Sequence, residues 1–503
     1  MKSFLYILSC LIIPPVFSQS GSLVIKIEDD KDNIKIEDTN NGSEKILSFQ
    51  DQRFTKMLRN YRISEFKQLY PSSKRPELLK YYILKSNNHL TLLSEIKRLE
   101  SSVISYARED REPTQLFEPN DYDYTTHTGN DCIGDISLTH LDLIRAPEAW
   151  DITKGNQDVI IGITETYIDT NHEDIYGKIY KIYDENDSNA TEWHHGISVA
   201  GTIAASTDNY IGISSIGYNC RIAKTKASTA YNDDLLAMAQ EGIKIIEISQ
   251  KWSDTIQPDH AELFDELIND YGVTVIASAG NENSTEYVYP ASYDDVISVT
   301  SVGHGFEIGS STSCGIQVNW KDCHKMYFNR PGNDYLTHTH NDKVDICAPG
   351  YYVICLLDKR WLGGKLYYWR TGTSFAAPIV AGVCGLMYSI NPFLTPEKVD
   401  DIIKNTAVDI YTIPENYEYI GLLGAGRIDA YEAVKEAGTR YLTGQQSGNK
   451  SAGFGFVLHN VTINQGDELE LTARKEVNIN GTFTMQTGST FEIIIDPNAI
   501  NNE

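Results

Sequence analysis

Basic residues are scarce in this chain. Its 43 Lys and Arg stand against 69 Asp and Glu in 503 residues, a formal charge of −26. That imbalance argues against nucleic acid or an anionic membrane surface as a partner. No low-complexity tract occurs, so most of the chain is expected to fold. Cysteine and histidine never fall at zinc-site spacing. Beyond residue 20 no apolar run reads as a membrane span. Cysteine is sparse and uneven: outside the first 20 residues it occurs at 132, 220, 314, 323, 347, 355 and 384. An odd count in an exported protein leaves at least one thiol unpaired. Cys314 and Cys323 share a polar loop and could pair, whereas Cys347 and Cys384 sit in apolar contexts that suit small core residues.

What is present begins with "MKSFLYILSCLIIPPVFSQS". Lys2, an apolar stretch broken by Pro14 and Pro15, and a small-residue end form a secretory leader, with cleavage expected after Ser18. Cys10 follows Ser9 as in a lipoprotein signal, but apolar residues continue past it. The expected location is secreted or extracytoplasmic, with cell-surface attachment as the variant.

Four regions follow from the patterning. Residues 1–18 are the leader. Residues 19–118 contain "YYILK", "LTLLSEIKRLE" and "SVISYARE", a strand–helix–strand run, then a linker carrying Pro113 and Pro119. From 119 to 437, apolar runs ("VIIGIT", "RIAKTKA", "IKIIEI", "VTVIAS", "VISVTSV") alternate with helical patterns at Asp233–Glu241 and Ala261–Asp270. Such alternation predicts an α/β domain with a parallel sheet between helices. A polar insertion, Gly303 to Asn341, interrupts it. Its histidines (His304, His324, His338, His340) read as solvated loop residues rather than metal ligands. In 438–503, "VTINQGDELELTA" and "FTMQTGSTFEIII" resemble each other with period-two alternation, which predicts two short units of a small β module.

Chemistry concentrates at element ends. The strand from Val159 runs into Thr164 and Glu165, where a carboxylate is costly unless partnered. "WHHGISVAGTIAA" places His195 before a helix of small residues. "VTVIASAGNEN" ends a strand at Gly280 and Asn281. "TGTSFAAPIVAGVCGLM" opens a helix at Ser374, with Pro378 expected in its first turn. Taken singly, these are a loop acid, a structural histidine, a turn former and a helix N-cap. Together they supply an acid, an imidazole, an amide donor and a hydroxyl, and a serine is a poor nucleophile until a base takes its proton. The chain order acid–His–Ser is that of the subtilisin arrangement.

The motifs resemble those of subtilisin-like serine proteases, the subtilases, over about 119–437. "HGISVAGT" is similar to that family's HGTHVAGT, "AGNEN" to its AGNEG, and "GTSFAAP" to its GTSMAAP. "YPASYDDVISV", "VDICAPG" and "LGAGRIDAYEAV" fit as well. The resemblance implies a seven-stranded parallel sheet and peptide-bond hydrolysis. It assigns Ser374 as nucleophile, His195 as general base and then acid, and Asn281 as oxyanion donor. It also implies an N-terminal propeptide as partner, beside a protein or peptide substrate. No cofactor is needed for that chemistry. Structural calcium occurs in the family, but its ligands are not mapped by these residues.

Two departures stand out. "ITETYIDTNHEDI" puts Glu165 where the family has Asp, and Tyr167 where it has Gly; Asp169 falls beyond the strand. The family's Ser-Leu-Gly-Gly strand, which pairs with bound peptide, is here Ser249, Gln250, Lys251 and Trp252, with Trp252 expected to fill part of the groove. Ser249, Gln250, Lys251 and Gly280 are the expected substrate-binding residues. The expected function is a secreted serine endopeptidase with a Glu-His-Ser triad; the alternative is a weak or inactive subtilase-like binding protein.

Overall fold

The expected leader, residues 1–18, lies outside the residues that the computed structural model describes. Those are 21–28, 34–39, 44–68, 78–86, 89–99, 104–110, 118–122, 139–183, 195–226, 232–304, 321–330, 333–360 and 364–502. The chain divides into two compact units, residues 1–115 and 116–503.

In the first unit, six strands form one sheet: β1 (Gly21–Ile27), β2 (Lys35–Asp38), β3 (Lys45–Ser48), β4 (Ile63–Gln68), β5 (Tyr81–Ser86) and β6 (Ile104–Asp110). The order is β2-β3-β4-β5-β1-β6, and the pairs are antiparallel. Along β5 the buried positions alternate, as a sheet with one covered face requires. Helices α1 (Gln52–Leu58) and α2 (His89–Arg98) contribute Phe54 and Leu92 to a core with Leu23, Ile25 and Leu84. Asp51 caps α1, accepting from the backbone N–H groups of Arg53 and Phe54.

The second unit is built on a seven-stranded parallel sheet. Its strands are β7 (Ile160–Glu165), β8 (Ile179–Ile182), β9 (Arg221–Lys226), β10 (Ile245–Ile248), β11 (Thr274–Ser278), β12 (Ile297–Val302) and, after a hairpin of β13 (Met326–Arg330) and β14 (Asn333–Leu336), β15 (Ile346–Pro349). The order is β15-β12-β11-β10-β7-β9-β8. The expected α/β fold is thus present, and the five apolar runs read from the sequence are five of its seven strands.

Both faces of this sheet are covered. One face packs under α5 (His195–Ala204) and α8 (Thr373–Ile390), in a cluster containing Ile161, Ile163, Ile245 and Ile276. The other packs against α6 (Asn232–Gln240) and α7 (Pro258–Asp265), with Ile246, Ile248, Val275 and Ala277. Helix α7 widens into a π turn at Glu266–Asp270. Helices α3 (Thr139–Leu143), α4 (Ala146–Ile152), α9 (Pro396–Asn405) and α10 (Ala430–Ala437), with the hairpin of β16 (Val353–Leu356) and β17 (Tyr367–Arg370), complete the unit. Helix α8 is long and apolar enough to cross a membrane, but 94% of that stretch is buried inside the protein. It approaches its neighbours closely: a Cβ on Gly382 would lie 2.3 Å from Ile216 Cγ2.

After α10 come β18 (Thr439–Gln445), β19 (Gly448–Ala452), β20 (Gly455–Ile463), β21 (Glu468–Ala473), β22 (Glu476–Met485) and β23 (Thr490–Ile495). They make two parallel three-stranded sheets, β18-β20-β22 and β19-β21-β23. The chain therefore winds through three coils, where the sequence predicts two units. The first coil, "TRYLTGQ" and "GNKSA", buries only Leu442 and Ala452 and so lacks apolar alternation. Phe456, Leu458, Val461 and Ile463 of the second coil stack with Leu469 and Leu471.

Three expectations are corrected. The described insertion histidines are buried rather than solvated: His338 stacks on Tyr351 at 4.7 Å, and His324 packs edge-on to Tyr419 at 4.8 Å. Cys323 is a buried free thiol, not half of a disulfide; Cys220, Cys347, Cys355 and Cys384 are also free and buried. Cys132 and Cys314 lie outside the described residues. Pro378 is the sixth residue of α8, past the first turn.

Candidate active site

Chain order reverses between β7 and β10: from β7 the sheet grows one way through β9 and β8, and the other way through β10, β11, β12 and β15. Crevices at the carboxyl ends of such strands are where α/β sheets bind ligands. The residues picked out in the sequence gather there.

Glu165 is the last residue of β7 and is fully buried. His195 opens α5, its side chain 26% exposed. Nδ1–H of His195 donates to Glu165 Oε2 at 2.9 Å; Oε1 is equally near but takes no aligned hydrogen bond. The Thr166 N–H also donates to Oε2, at 2.9 Å. The acid is held from its own backbone, and Nδ1 is committed as a donor, which leaves Nε2 to accept a proton. Gly196 makes the approach possible: a Cβ there would sit 2.5 Å from the Thr166 carbonyl oxygen. Asp169 has a different task, accepting the Asn171 N–H at 3.1 Å to close a turn. Tyr167 lies under the Arg360 guanidinium, 4.5 Å from the ring centre, and Arg360 pairs with Asp358.

On the other side, Ser374 is the second residue of α8, whose N-cap is Gly372. Ser374 Oγ donates to the Ser249 carbonyl at 3.0 Å, and Ser249 Oγ donates back to the Ser374 carbonyl at 3.1 Å. Asn281 follows Gly280, whose φ is +110°. Its Oδ1 accepts from the Thr373 N–H at 2.8 Å and from Thr373 Oγ1 at 3.1 Å, while the Gly280 N–H donates to Thr373 Oγ1 at 3.2 Å. With Oδ1 committed, the amide offers its N–H groups to a ligand. They lie beside the start of α8, whose N–H groups and dipole favour negative charge.

Ser249 is buried at the end of β10, Gln250 is half-buried, and Lys251 is exposed and ion-paired with Asp254. Trp252 does not fill a groove. Its ring packs on His260 at 5.2 Å and Phe264 at 5.5 Å, because α7 offers an apolar bed there.

One site feature escaped the sequence reading. Glu247, within "IKIIEI", is fully buried beside the site, and its Oε1 shares a hydrogen bond with Ser249 Oγ. A carboxylate inside an otherwise apolar strand was the available signal. Among the described residues, no group of three or more His, Cys, Asp or Glu side chains is arranged to hold a metal ion.

Residues 156–455, more than half of the chain, match the model of the subtilase family. The chain belongs to that family. It is 29% identical over 300 residues to a thermophilic serine proteinase of Bacillus sp. (strain AK1), an alignment covering 57% of this chain and 64% of that one. It is 28% identical over 303 residues to thermitase of Thermoactinomyces vulgaris, covering 58% and 94%. To halolysin of Haloferax mediterranei it is 24% identical over 307 residues, covering 58% of this chain and 52% of that protein. The chain thus spans nearly all of one of these relatives and about half to two thirds of the others.

Proposed function

We propose that this subtilase is a secreted serine endopeptidase working through a Glu165-His195-Ser374 triad. The observation that carries this reading is the 2.9 Å hydrogen bond from His195 Nδ1 to a fully buried Glu165. An imidazole so held presents Nε2 as a base. The Ser374 hydroxyl then redirects its proton from the Ser249 carbonyl to Nε2, and Oγ attacks the peptide carbonyl carbon. The carbonyl π pair moves onto oxygen, where the Asn281 amide and the N–H groups at the start of α8 meet it; one such donor is worth roughly 3–4 kcal/mol. Collapse returns the pair, breaks the C–N bond, and His195 gives the proton to the leaving amine. Water, deprotonated by His195, hydrolyses the acyl-enzyme by the same steps.

The deciding experiment is labelling of the secreted protein with a serine-directed fluorophosphonate, with Ser374→Ala as control. Labelling of wild type alone supports the proposal; no labelling of folded, processed protein leaves the binding-protein reading. Gln250 and Lys251 put side chains where a glycine edge would admit any backbone, so a peptide-library digest is expected to yield few cleaved sequences. Residues 19–118 are proposed to be a propeptide released at the linker. The mature N-terminus is then expected between about residues 105 and 125.

A further inference from the structure

Helix α8 carries a proline in its sixth position, and that proline has a consequence at the nucleophile. In an unbroken α-helix the N–H of residue 378 would donate to the carbonyl of residue 374. Pro378 has no N–H. The carbonyl of Ser374 itself is thereby left without its helical donor, at a residue only 7% exposed. Ser249 Oγ fills the gap at 3.1 Å.

A carbonyl can only accept, so the Ser249 proton goes to it. Ser249 has one hydroxyl proton. Its second hydrogen bond, to Glu247 Oε1, therefore takes a proton from the carboxyl. We propose that Glu247 is a positioning residue held as a neutral acid, donating to Ser249 so that Ser249 holds the Ser374 peptide in place. This rests on the reading of Ser374 as nucleophile.

Register and burial agree with the proton count. Glu247 pairs with Ile163 of β7, and Ile163 and Glu165 point to the same face. Ile246 and Ile248 belong to the opposite cluster, so Glu247 faces α5 and α8, diagonally beside Glu165. Two fully buried carboxyls then share one side of the sheet, where ionising both is costly. Glu165 has two charge-stabilising donors, the His195 Nδ1–H and the Thr166 N–H. Glu247 Oε2 has no partner, so the proton belongs on Glu247. Burial first, and then the charge of Glu165, push its carboxyl well above the usual range, against the Ser249 hydrogen bond. Among the described residues of the strands and helices next to Glu247, the charged groups on this face are Lys224 and Lys226 of β9, in register with Ile163 and Glu165, and His195 of α5. Strand β11 offers only Ile276 at the registered position, and the first two turns of α8 hold no titratable side chain.

The test is a pair of substitutions on the full chain, read by kinetics and by infrared spectroscopy. Glu247→Gln keeps a neutral donor, an N–H in place of the O–H; Glu247→Met fills similar space without one. Glu247→Gln is expected to keep kcat within about threefold near neutral pH. Glu247→Met is expected to lower kcat on the order of tenfold to a hundredfold with KM little changed, as misplacement on the order of 1 Å does. Wild type should also show an alkaline step in kcat, where Glu247 ionises, that the Gln variant lacks. Independently of turnover, wild type at neutral pH should show a protonated-carboxyl stretch that Glu247→Gln removes. A folded Gln variant as impaired as Met, a fully active Met variant, or no such band would overturn the proposal. Failure of Ser374 to react with the fluorophosphonate would instead overturn the peptidase reading and leave the infrared result standing.

Discussion

Strand β10, Ile245–Ile248, has all four residues buried. Strand β23, Thr490–Ile495, has five of its six exposed. Both belong to parallel sheets, but helices close both faces of the first, whereas coils of the second cover one another only inward. Ile479, Met485, Ile493 and Ile495 of the last coil are about half exposed. The difference lies in what each interior tolerates. The helix-covered unit buries Glu165, Glu247, His324 and His338, each with at least one hydrogen-bonding partner. The buried core of the coils is wholly apolar. Dry surroundings strengthen the electrostatics that catalysis uses and make unpaired polar groups expensive. Chemistry therefore sits in the region where errors cost most.

The sharpest way to separate the two regions is Glu165→Gln. It should reduce kcat about ten-thousandfold, the loss seen when a triad acid is neutralised, and leave the thermal unfolding of the coils unchanged. The converse is Phe456→Ala in the coils, expected to cost about 3–5 kcal/mol of stability with kcat per folded molecule unaffected. An unaltered kcat for Glu165→Gln, or a large kcat loss for Phe456→Ala, would break the comparison.

Acid provides the next contrast. Burial holds His304 and His324 down at about 4 and His338 at about 3, against roughly 6.5 in an unfolded chain. Between these values the unfolded state binds more protons, so stability is full above about pH 6.5 and is lost as pH falls toward 4. Each group steepens that fall by up to about 1.4 kcal/mol per pH unit. The dependence should appear in denaturant titrations of wild type and flatten in His338→Phe, where the ring still stacks on Tyr351 but takes up no proton. Smallest of all should be Ile495→Thr on the open coil, within about 0.5 kcal/mol. A large loss there would mean that this end is covered in solution.

Much of this was legible beforehand, for identifiable reasons. Strands buried on both faces read as unbroken apolar runs, so β7, β10, β11 and β12 stood out, and the acid, imidazole, amide and hydroxyl lay at element ends. The first coil was hidden because its inward side needs only Leu442 and Ala452. The insertion histidines looked solvated because polarity in a sequence says nothing of aromatic stacking or of the carbonyl partners that offset burial. Trp252 was placed wrongly because its bed, His260 and Phe264 a few residues further on, becomes a surface only once α7 has formed. Glu247 passed unnoticed because its meaning depends on Ser249 and Pro378, which only the fold brings together.

The five described thiols give the molecule a built-in clock. Cys220, Cys323, Cys347, Cys355 and Cys384 are buried and unbridged, and burial pushes Cys220 up to about 11, suppressing the reactive thiolate. None of these five sites depends on the redox poise of its surroundings to stay folded. Each becomes alkylatable only when its surroundings open, so the rate at which an added electrophile is consumed at each position reports how often that part of the fold breathes.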